Sequence, residues 1–203
     1  VIVRNNYFHG GYHTTSLDYS NQLATGVVFR DMYFYNNIVD DSGIDAIPQS
    51  QMSNQVFTQQ GENSQMENLY ITNNIFIGAT ARNILVEGGD LVHIWQNTIY
   101  GHNQNLAFNP YANVSLNYPL HVDYRNNLLY DSLPDNALQN HGVMMYHTGE
   151  FSDKDYNMYF SRFPKTDRNF AAHRPNNAQQ GNVGYWTTND WSAYLSDNPS
   201  FEQ

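Results

Sequence analysis

The chain has 203 residues and a formal net charge of −10, from 9 basic and 19 acidic residues. This length favours one domain with its own core, and the acidic balance argues against a nucleic-acid partner because phosphate binding needs clustered Lys and Arg. The absence of cysteine excludes disulfides. The chain also lacks an apolar run of the length that spans a membrane, so no membrane partner is expected.

An asparagine recurs between two short apolar stretches along most of the chain. The intervals between successive motifs are 31, 37, 23, 30 and 30 residues. Repetition at such a period indicates stacked coils, and the unequal intervals indicate loops inserted between them. The recurring residues are Asn6, Asn37, Asn74, Asn97, Asn127 and Asn157.

The residues before each asparagine alternate between apolar and polar, as in Met32 and Phe34 or Leu69 and Ile71. A period of two predicts a half-buried strand. Asparagine tolerates the left-handed conformation, so it suits a sharp bend after that strand. Its amide both donates and accepts hydrogen bonds, which predicts an asparagine ladder from coil to coil.

A second apolar strand is predicted before each of these strands, so that one coil reads strand, turn, strand, asparagine bend, strand and loop. The predicted fold is all-β, a parallel β-helix (solenoid) with long inserted loops. An asparagine-rich β-sandwich is the alternative that the pattern leaves open. The additional strands are predicted at 27–29, 44–47, 84–87, 106–108 and 143–146.

Four segments carry a family resemblance. Val-x-Val-x-Asn-Asn-x-Phe at 1–8 and Gly-Ile-x-Ala-Ile at 43–47 resemble the right-handed parallel β-helix repeats of secreted carbohydrate-active enzymes, of the glycoside hydrolase and polysaccharide lyase type. Asp-Tyr-Asn-x-Tyr at 155–159 and Asp-Asn-Pro-Ser-Phe at 197–201 resemble the closing segments of such domains. The resemblance implies a secreted protein, extracellular or periplasmic, that acts on a polysaccharide.

Three long loops are predicted, at about 9–25, 48–68 and 109–119, and loops on one side of a solenoid wall off a groove. Asp45 and Glu87 are predicted on the outer floor of this groove, beside outward Leu85. If their strands are neighbours, their Cβ atoms lie roughly 8 Å apart. Two carboxylates at such a distance suit glycoside hydrolysis, although this range does not separate inversion from retention. Two solvated surface acids are the alternative.

The aromatic excess of 16 Tyr, 11 Phe and 3 Trp also suits sugar recognition, in which rings pack on sugar C–H faces. A second outward face carries Tyr33, Tyr35, Tyr70, His93, Trp95, Asp123 and Arg125, where a His–Asp pair is feasible. An ordinary exposed sheet is the alternative reading of this face. The residues predicted to bind substrate on the two faces are Arg30, Asn109, Tyr146, His147, Tyr70, Trp95 and Arg125.

No cofactor and no metal site are predicted, because the histidines show no zinc spacing. Calcium bound through oxygen ligands of Asp40, Asp41 and Asp45 is the alternative.

Three functions compete. The first is a glycoside hydrolase in which Asp45 and Glu87 share the acid and base work. The second is a polysaccharide lyase, for which only two lysines are available. The third is a non-catalytic glycan-binding solenoid or tailspike. Residues 1–203 are expected to form a single domain, or a fragment lacking its N-terminal cap and C-terminal end, which would associate with the rest of a longer chain or with copies of itself.

Overall fold

A computed structural model describes the chain at residues 1–9, 13–16, 29–40, 54–58, 66–78, 82–100, 112–117, 121–131, 143–147, 151–161, 171–173 and 184–186. Every regular element in these ranges is a β-strand. The described residues therefore contain no helix long and apolar enough to cross a membrane. The strands are β1 (Ile2–Arg4), β2 (Tyr7–His9), β3 (His13–Ser16), β4 (Phe29–Tyr35), β5 (Ile38–Asp40), β6 (Asn54–Thr58), β7 (Met66–Thr72), β8 (Ile75–Ile77), β9 (Arg82–Glu87), β10 (Asp90–Trp95), β11 (Thr98–Tyr100), β12 (Ala112–Asn117), β13 (Val122–Arg125), β14 (Leu128–Asp131), β15 (Val143–His147), β16 (Phe151–Asp155), β17 (Met158–Ser161), β18 (Ala171–His173) and β19 (Gly184–Trp186).

The chain visits three sheets in rotation, and one such round is a coil. Sheet A has the strand order β1-β4-β7-β10-β13-β16 and sheet B has the order β2-β5-β8-β11-β14-β17. Sheet C runs β3-β6-β9-β12-β15-β18-β19. Neighbouring strands are parallel in every described pair except β18 with β19, which is antiparallel. The protein is therefore all-β with parallel sheets, an arrangement compatible with a β-helix.

Apolar side chains from all three sheets meet in one core. Phe34 of β4 and Phe76 of β8 are fully buried, and Leu116 of β12 belongs to the same cluster. The rings of Phe8, Phe34 and Phe76 stack with centroids 6.1 and 6.3 Å apart. Full burial of such a side chain contributes roughly 1.5–3 kcal/mol, so these short strands gain their stability from stacking on neighbouring coils.

The predicted asparagine ladder is confirmed. Asn37 donates its backbone N–H and its side-chain Nδ2 to Asn74 Oδ1, at 3.0 and 3.1 Å. Its Nδ2 also bonds the carbonyl of Val3, at 3.1 Å. Buried amides thus satisfy one another in a column, as buried polar groups must. The same side-chain link runs through Asn6, Asn37, Asn74, Asn97, Asn127 and Asn157.

The predicted bend is confirmed as well, and it falls on the residue before each ladder asparagine. These residues have φ between 54° and 57°, in the left-handed region that asparagine tolerates. They are Asn5, Asn36, Asn73, Gln96, Asn126 and Tyr156.

The predicted loops are corrected in three places, because each contains a strand of sheet C. β3 lies within the predicted loop 9–25, β6 within 48–68 and β12 within 109–119. The segments His-Thr-Thr-Ser, Asn-Gln-Val-Phe-Thr and Ala-Asn-Val-Ser-Leu-Asn are short and polar, so their sequences carry only a weak strand signal. The strands predicted at 84–87 and 143–146 are present as β9 and β15.

Of the other three predicted strands, one is corrected and two cannot be compared with the structure. Phe29, predicted to end a strand before the asparagine strand, instead begins the asparagine strand itself, β4. The strands predicted at 44–47 and 106–108 lie outside the described residues.

Candidate functional site

The outer face of sheet A carries a compact group of rings and charges. Its strands alternate, so that Phe34, Ile71, Ile94 and Tyr124 point into the core and the residues beside them point outward. In register, Tyr33, Tyr70, His93 and Asp123 form one outward column, and Tyr35, Thr72, Trp95 and Arg125 form the next. The aromatic–ionic cluster is defined as Tyr33, Tyr70, His93, Trp95, Asp123 and Arg125.

Three rings of this cluster stand in a stack across adjacent coils. The centroids of Tyr33 and Tyr70 are 4.8 Å apart and those of Tyr70 and His93 are 4.5 Å apart, with planes within 15° of parallel. Trp95 meets His93 edge-on, at 61° and 4.8 Å. Tyr33, Tyr70 and His93 therefore pack face to face. Trp95 is rotated out of this stack.

An ion pair closes the cluster on the side of β13. Arg125 Nε donates to Asp123 Oδ1 at 2.7 Å, and Arg125 also donates through its NH2 group to Asp123 Oδ2. The side chain of Asp123 is 12% exposed, whereas that of Arg125 is 39% exposed. The guanidinium carbon lies over the Trp95 ring, 5.3 Å from its centroid. Two parallel hydrogen bonds and a cation–π contact fix Arg125 in one orientation while it still faces solvent.

His93 faces the same carboxylate from the neighbouring strand. Its Nδ1 is 3.6 Å from Asp123 Oδ2, which is an electrostatic contact but too long for a hydrogen bond. Burial lowers the pKa of His93 below its ordinary value, and the Asp123 charge opposes this shift without reversing it. Among the described residues, neither His93 Nδ1 nor Trp95 Nε1 has a hydrogen-bond partner, although both atoms are buried. Burying a polar atom without a hydrogen-bond partner is energetically costly.

Three of the residues predicted to bind substrate meet in this cluster. Tyr70 and Trp95 contact edge to face with centroids 6.1 Å apart, and Arg125 covers Trp95. His93 and Asp123 were predicted on this face as a feasible His–Asp pair, although neither was among the residues predicted to bind substrate. Their importance follows from the contact between neighbouring strands, and the one sequence signal for it is the pair of two-residue spacings His93–Trp95 and Asp123–Arg125.

Arg30 does not belong to the groove on which it was predicted. It lies on β4 of sheet A, and its Nε donates to Glu67 Oε2 at 2.7 Å. Both side chains are exposed, 61% and 39%, so this is an ordinary surface ion pair. The correction follows from β4, which begins at Phe29 and so carries Arg30 into sheet A.

The Asp45–Glu87 pair stays a prediction. β9, which carries Glu87, is paired with β6 on one side and with β12 on the other. Glu87 lies beside Asn117 in this register. Asp45 and Asn109 lie outside the described residues, as does Asp41 of the calcium alternative.

The remaining predicted residues lie on sheet C. The register aligns Tyr146 with Ser115 and Leu85. Leu85 is 2% exposed, so the prediction that it forms an open groove floor is wrong. His147 aligns with Leu116 and through it with Val86, both of which are fully buried in the core cluster.

Comparisons with protein-family models, curated proteins and solved structures found no match. In the described part of the chain, no group of three or more His, Asp or Glu side chains is arranged to hold a metal ion.

Proposed function

We propose that the chain is a right-handed parallel β-helix of a secreted carbohydrate-active protein, and that its aromatic–ionic cluster binds a polysaccharide. The observation that carries the proposal is the set of contacts around Trp95. This ring is turned out of the Tyr33–Tyr70–His93 stack and is held under Arg125, which Asp123 fixes in place. A fixed ring beside exposed planar donors is the combination that sugar recognition uses, with C–H faces on the ring and hydroxyls on the polar groups.

The charge of the chain supports a neutral or weakly charged glycan. The formal net charge is −10, and Arg125, the cation of this cluster, is paired with Asp123. The net negative charge of the chain would repel a strongly anionic polymer, and the charge of Arg125 is already neutralised by Asp123. A neutral polysaccharide meets neither obstacle, and its many weak contacts can extend along the column of rings from Tyr33 to His93.

The experiment is a binding measurement with a panel of soluble neutral oligosaccharides, by calorimetry or affinity electrophoresis. Trp95→Ala and Arg125→Ala are expected to weaken binding by about tenfold or more, which corresponds to about 1.4 kcal/mol. Arg30→Ala is the matched control, because Arg30 is an exposed, paired arginine on the same sheet outside the cluster. If Trp95→Ala binds as tightly as Arg30→Ala does, the cluster is not the binding site.

Glycoside hydrolysis is the second candidate, and the register of sheet A supports it. Asp123 of β13 and Asp153 of β16 are aligned partners, so their backbones are roughly 4.8 Å apart. Retaining glycosidases hold their two carboxyl groups about 5–5.5 Å apart, a separation that residues on neighbouring strands can provide. Asp123 and Asp153 are thus two acidic residues on neighbouring strands of the described register. The Asp45–Glu87 pair stays a prediction from the sequence.

A reducing-sugar assay on the wild-type chain and on separate Asp→Asn or Glu→Gln variants distinguishes the two carboxylate pairs. Loss of activity in Asp153→Asn with retention in Glu87→Gln and Asp45→Asn supports the sheet A pair, and the reverse supports the groove pair. Polysaccharide lyase chemistry is separated in the same assay, because β-elimination leaves an unsaturated product that absorbs ultraviolet light. Tight binding without any product favours the non-catalytic solenoid.

A further inference from the structure

Sheet B presents an apolar outer face to solvent. Its four inner strands bury Val39, Phe76, Ile99 and Leu129, and the residues on either side of each point outward. The first outward column is apolar from coil to coil apart from one threonine. In register order it contains Tyr7, Ile38, Ile75, Thr98, Leu128 and Met158.

This column is open to solvent. The exposed fraction is 41% for Ile75, 37% for Leu128 and 65% for Met158. A sheet with one solvated face ordinarily places polar residues on that face, and a contiguous exposed apolar strip usually marks an interaction surface.

The second outward column begins with His9 and Asp40 on β2 and β5 and is apolar from Ile77 of β8 onward, where it continues the face with a stack of three rings. Tyr100, Tyr130 and Phe160 lie in register on β11, β14 and β17, with centroids 4.9 and 5.1 Å apart and planes within 16° of parallel. The side chains of Tyr100 and Phe160 are 48% and 53% exposed. Their mutual stacking holds the rings in a fixed row, so the face is rigid before any ligand arrives.

The dimensions of this apolar face argue against a folded protein as its partner. Six strands span roughly 24 Å and the two columns lie roughly 7 Å apart, so the strip measures a few hundred Å² at most. A stable protein interface buries about 800 Å² on each partner. A second copy of the chain resting on this face alone would therefore bind only weakly. A long, narrow occupant fits the strip better.

The chemistry of the face narrows the occupant further. A peptide strand lying on it would bury its own N–H and C=O groups against apolar side chains without partners, because the backbone groups of sheet B already bond within the sheet. The two outward columns carry no charged residue on the four strands β8, β11, β14 and β17, so a charged polymer would meet no opposite charge there. A neutral polysaccharide keeps its hydroxyls hydrated at the rim while its C–H face covers the strip.

We propose that the apolar face of sheet B docks the protein on an extended neutral polysaccharide, of the kind exposed at the surface of an insoluble fibre. The choice of a polysaccharide rests on the proposed function, whereas the surface itself is separate from the aromatic–ionic cluster. The two faces would bind different forms of the polysaccharide. The cluster on sheet A would bind a soluble or single glycan chain, and the apolar face of sheet B would bind the surface of the insoluble polysaccharide.

The test is an adsorption isotherm on microcrystalline cellulose and on chitin, with phosphatidylcholine vesicles as a lipid probe. The variant Ile75→Lys/Leu128→Lys places two charges on the apolar face at positions that already face solvent, and adsorption is expected to fall by about tenfold or more. Leu91→Lys is the matched control, because Leu91 is an exposed apolar residue, 43% exposed, on sheet A. Circular dichroism of all variants verifies that they fold.

The outcomes separate this proposal from the function proposed for the cluster. Trp95→Ala is expected to lose soluble oligosaccharide binding and keep adsorption, and Ile75→Lys/Leu128→Lys is expected to do the reverse. Adsorption that is absent in the wild type, or equal in Ile75→Lys/Leu128→Lys and Leu91→Lys, overturns the docking proposal and leaves the cluster untouched. Vesicle binding or self-association that depends on Ile75 and Leu128, without adsorption to glycans, overturns it as well.

Discussion

Asn74 and Asn97 are 23 residues apart in the chain and hydrogen-bonded in space: the Nδ2 of Asn74 and its backbone N–H both donate to Oδ1 of Asn97, each at 3.0 Å. The Nδ2 of Asn97 in turn bonds the carbonyl of Ile71 at 2.8 Å and Oδ1 of Asn127 at 3.0 Å. One side chain therefore satisfies buried groups on both neighbouring coils, and it ties the phase of each coil to the next.

Replacing this residue is expected to be strongly destabilising. Asn97→Ala leaves the buried N–H of Asn74 and the carbonyl of Ile71 without these partners, at a cost of about 1–3 kcal/mol for each group. We expect the free energy of unfolding, measured by urea denaturation, to fall by about 2–5 kcal/mol. The control is Asn126→Gly, at an exposed position with φ of 56° that glycine adopts freely. A loss for Asn97→Ala no larger than for this control would contradict the ladder's role.

A second column of left-handed residues offers a stabilising change. Asp31, Asn68 and Leu91 occupy the same bend of β4, β7 and β10, with φ of 55°, 58° and 55°. Asn68 Nδ2 donates to Asp31 Oδ1 at 3.0 Å, but Leu91 has no polar side chain with which to continue this link. A branched apolar residue pays roughly 1–2 kcal/mol in the left-handed region, which asparagine tolerates better.

Leu91→Asn should therefore raise the midpoint of thermal unfolding, through a gain of about 1 kcal/mol. Leu91→Ala separates the two contributions, because it removes the apolar side chain without adding a hydrogen bond or relieving the φ penalty. An unchanged or lower midpoint for Leu91→Asn would show that the bend is not strained at this residue.

Within the described residues, Gly89 is a position where a side chain is poorly tolerated. Its φ is +103°, and a Cβ built there would lie 2.9 Å from Cε of buried Met66. We expect Gly89→Ala to lower the free energy of unfolding by about 1–3 kcal/mol, from backbone strain and displacement of the methionine. Gly78→Asn, at φ of 56°, is the comparison, since asparagine adopts that conformation. Equal urea midpoints for the two variants would refute the steric argument.

The histidine of the cluster predicts a pH dependence of stability. Burial lowers the pKa of His93 in the folded protein, so the unfolded chain takes up a proton at a pH where the folded protein remains unprotonated. Stability is therefore lost as the pH falls through the ordinary histidine pKa of about 6.5 and towards the lower folded value. His93→Gln should reduce this loss.

The measurement compares melting temperatures at about pH 7.5 and about pH 5.5 for the wild type, His93→Gln and a control, His9→Gln. His9 lies at the end of β2 on sheet B, away from the cluster, so its substitution controls for the loss of a histidine as such. The same pH-dependent loss in the wild type and in His93→Gln would mean that His93 is not desolvated.

The repeat determined the register of sheets A and B. Each coil carries an alternating strand and an asparagine bend, and both signals are local, so Asn74 and Asn97 align as their sequence context indicates. The positions of Tyr70, Trp95 and Arg125 on one outward face follow from the same alternation. Sheet C was harder to predict, because β3, β6 and β12 are short, polar strands whose stability comes from the coils on either side of them.

By itself, then, the sequence determined an all-β chain with a repeating strand–bend–strand unit. The reason is that each coil contains both an apolar–polar alternation and an asparagine bend. Only the tertiary structure decided which strands of sheet C are neighbours, and it placed β9, which carries Glu87, between β6 and β12. It also decided that His93, Asp123 and Arg125 meet. The physical reason is that loop lengths between coils do not fix the pairing of strands, whereas the hydrogen-bonded register between whole coils does.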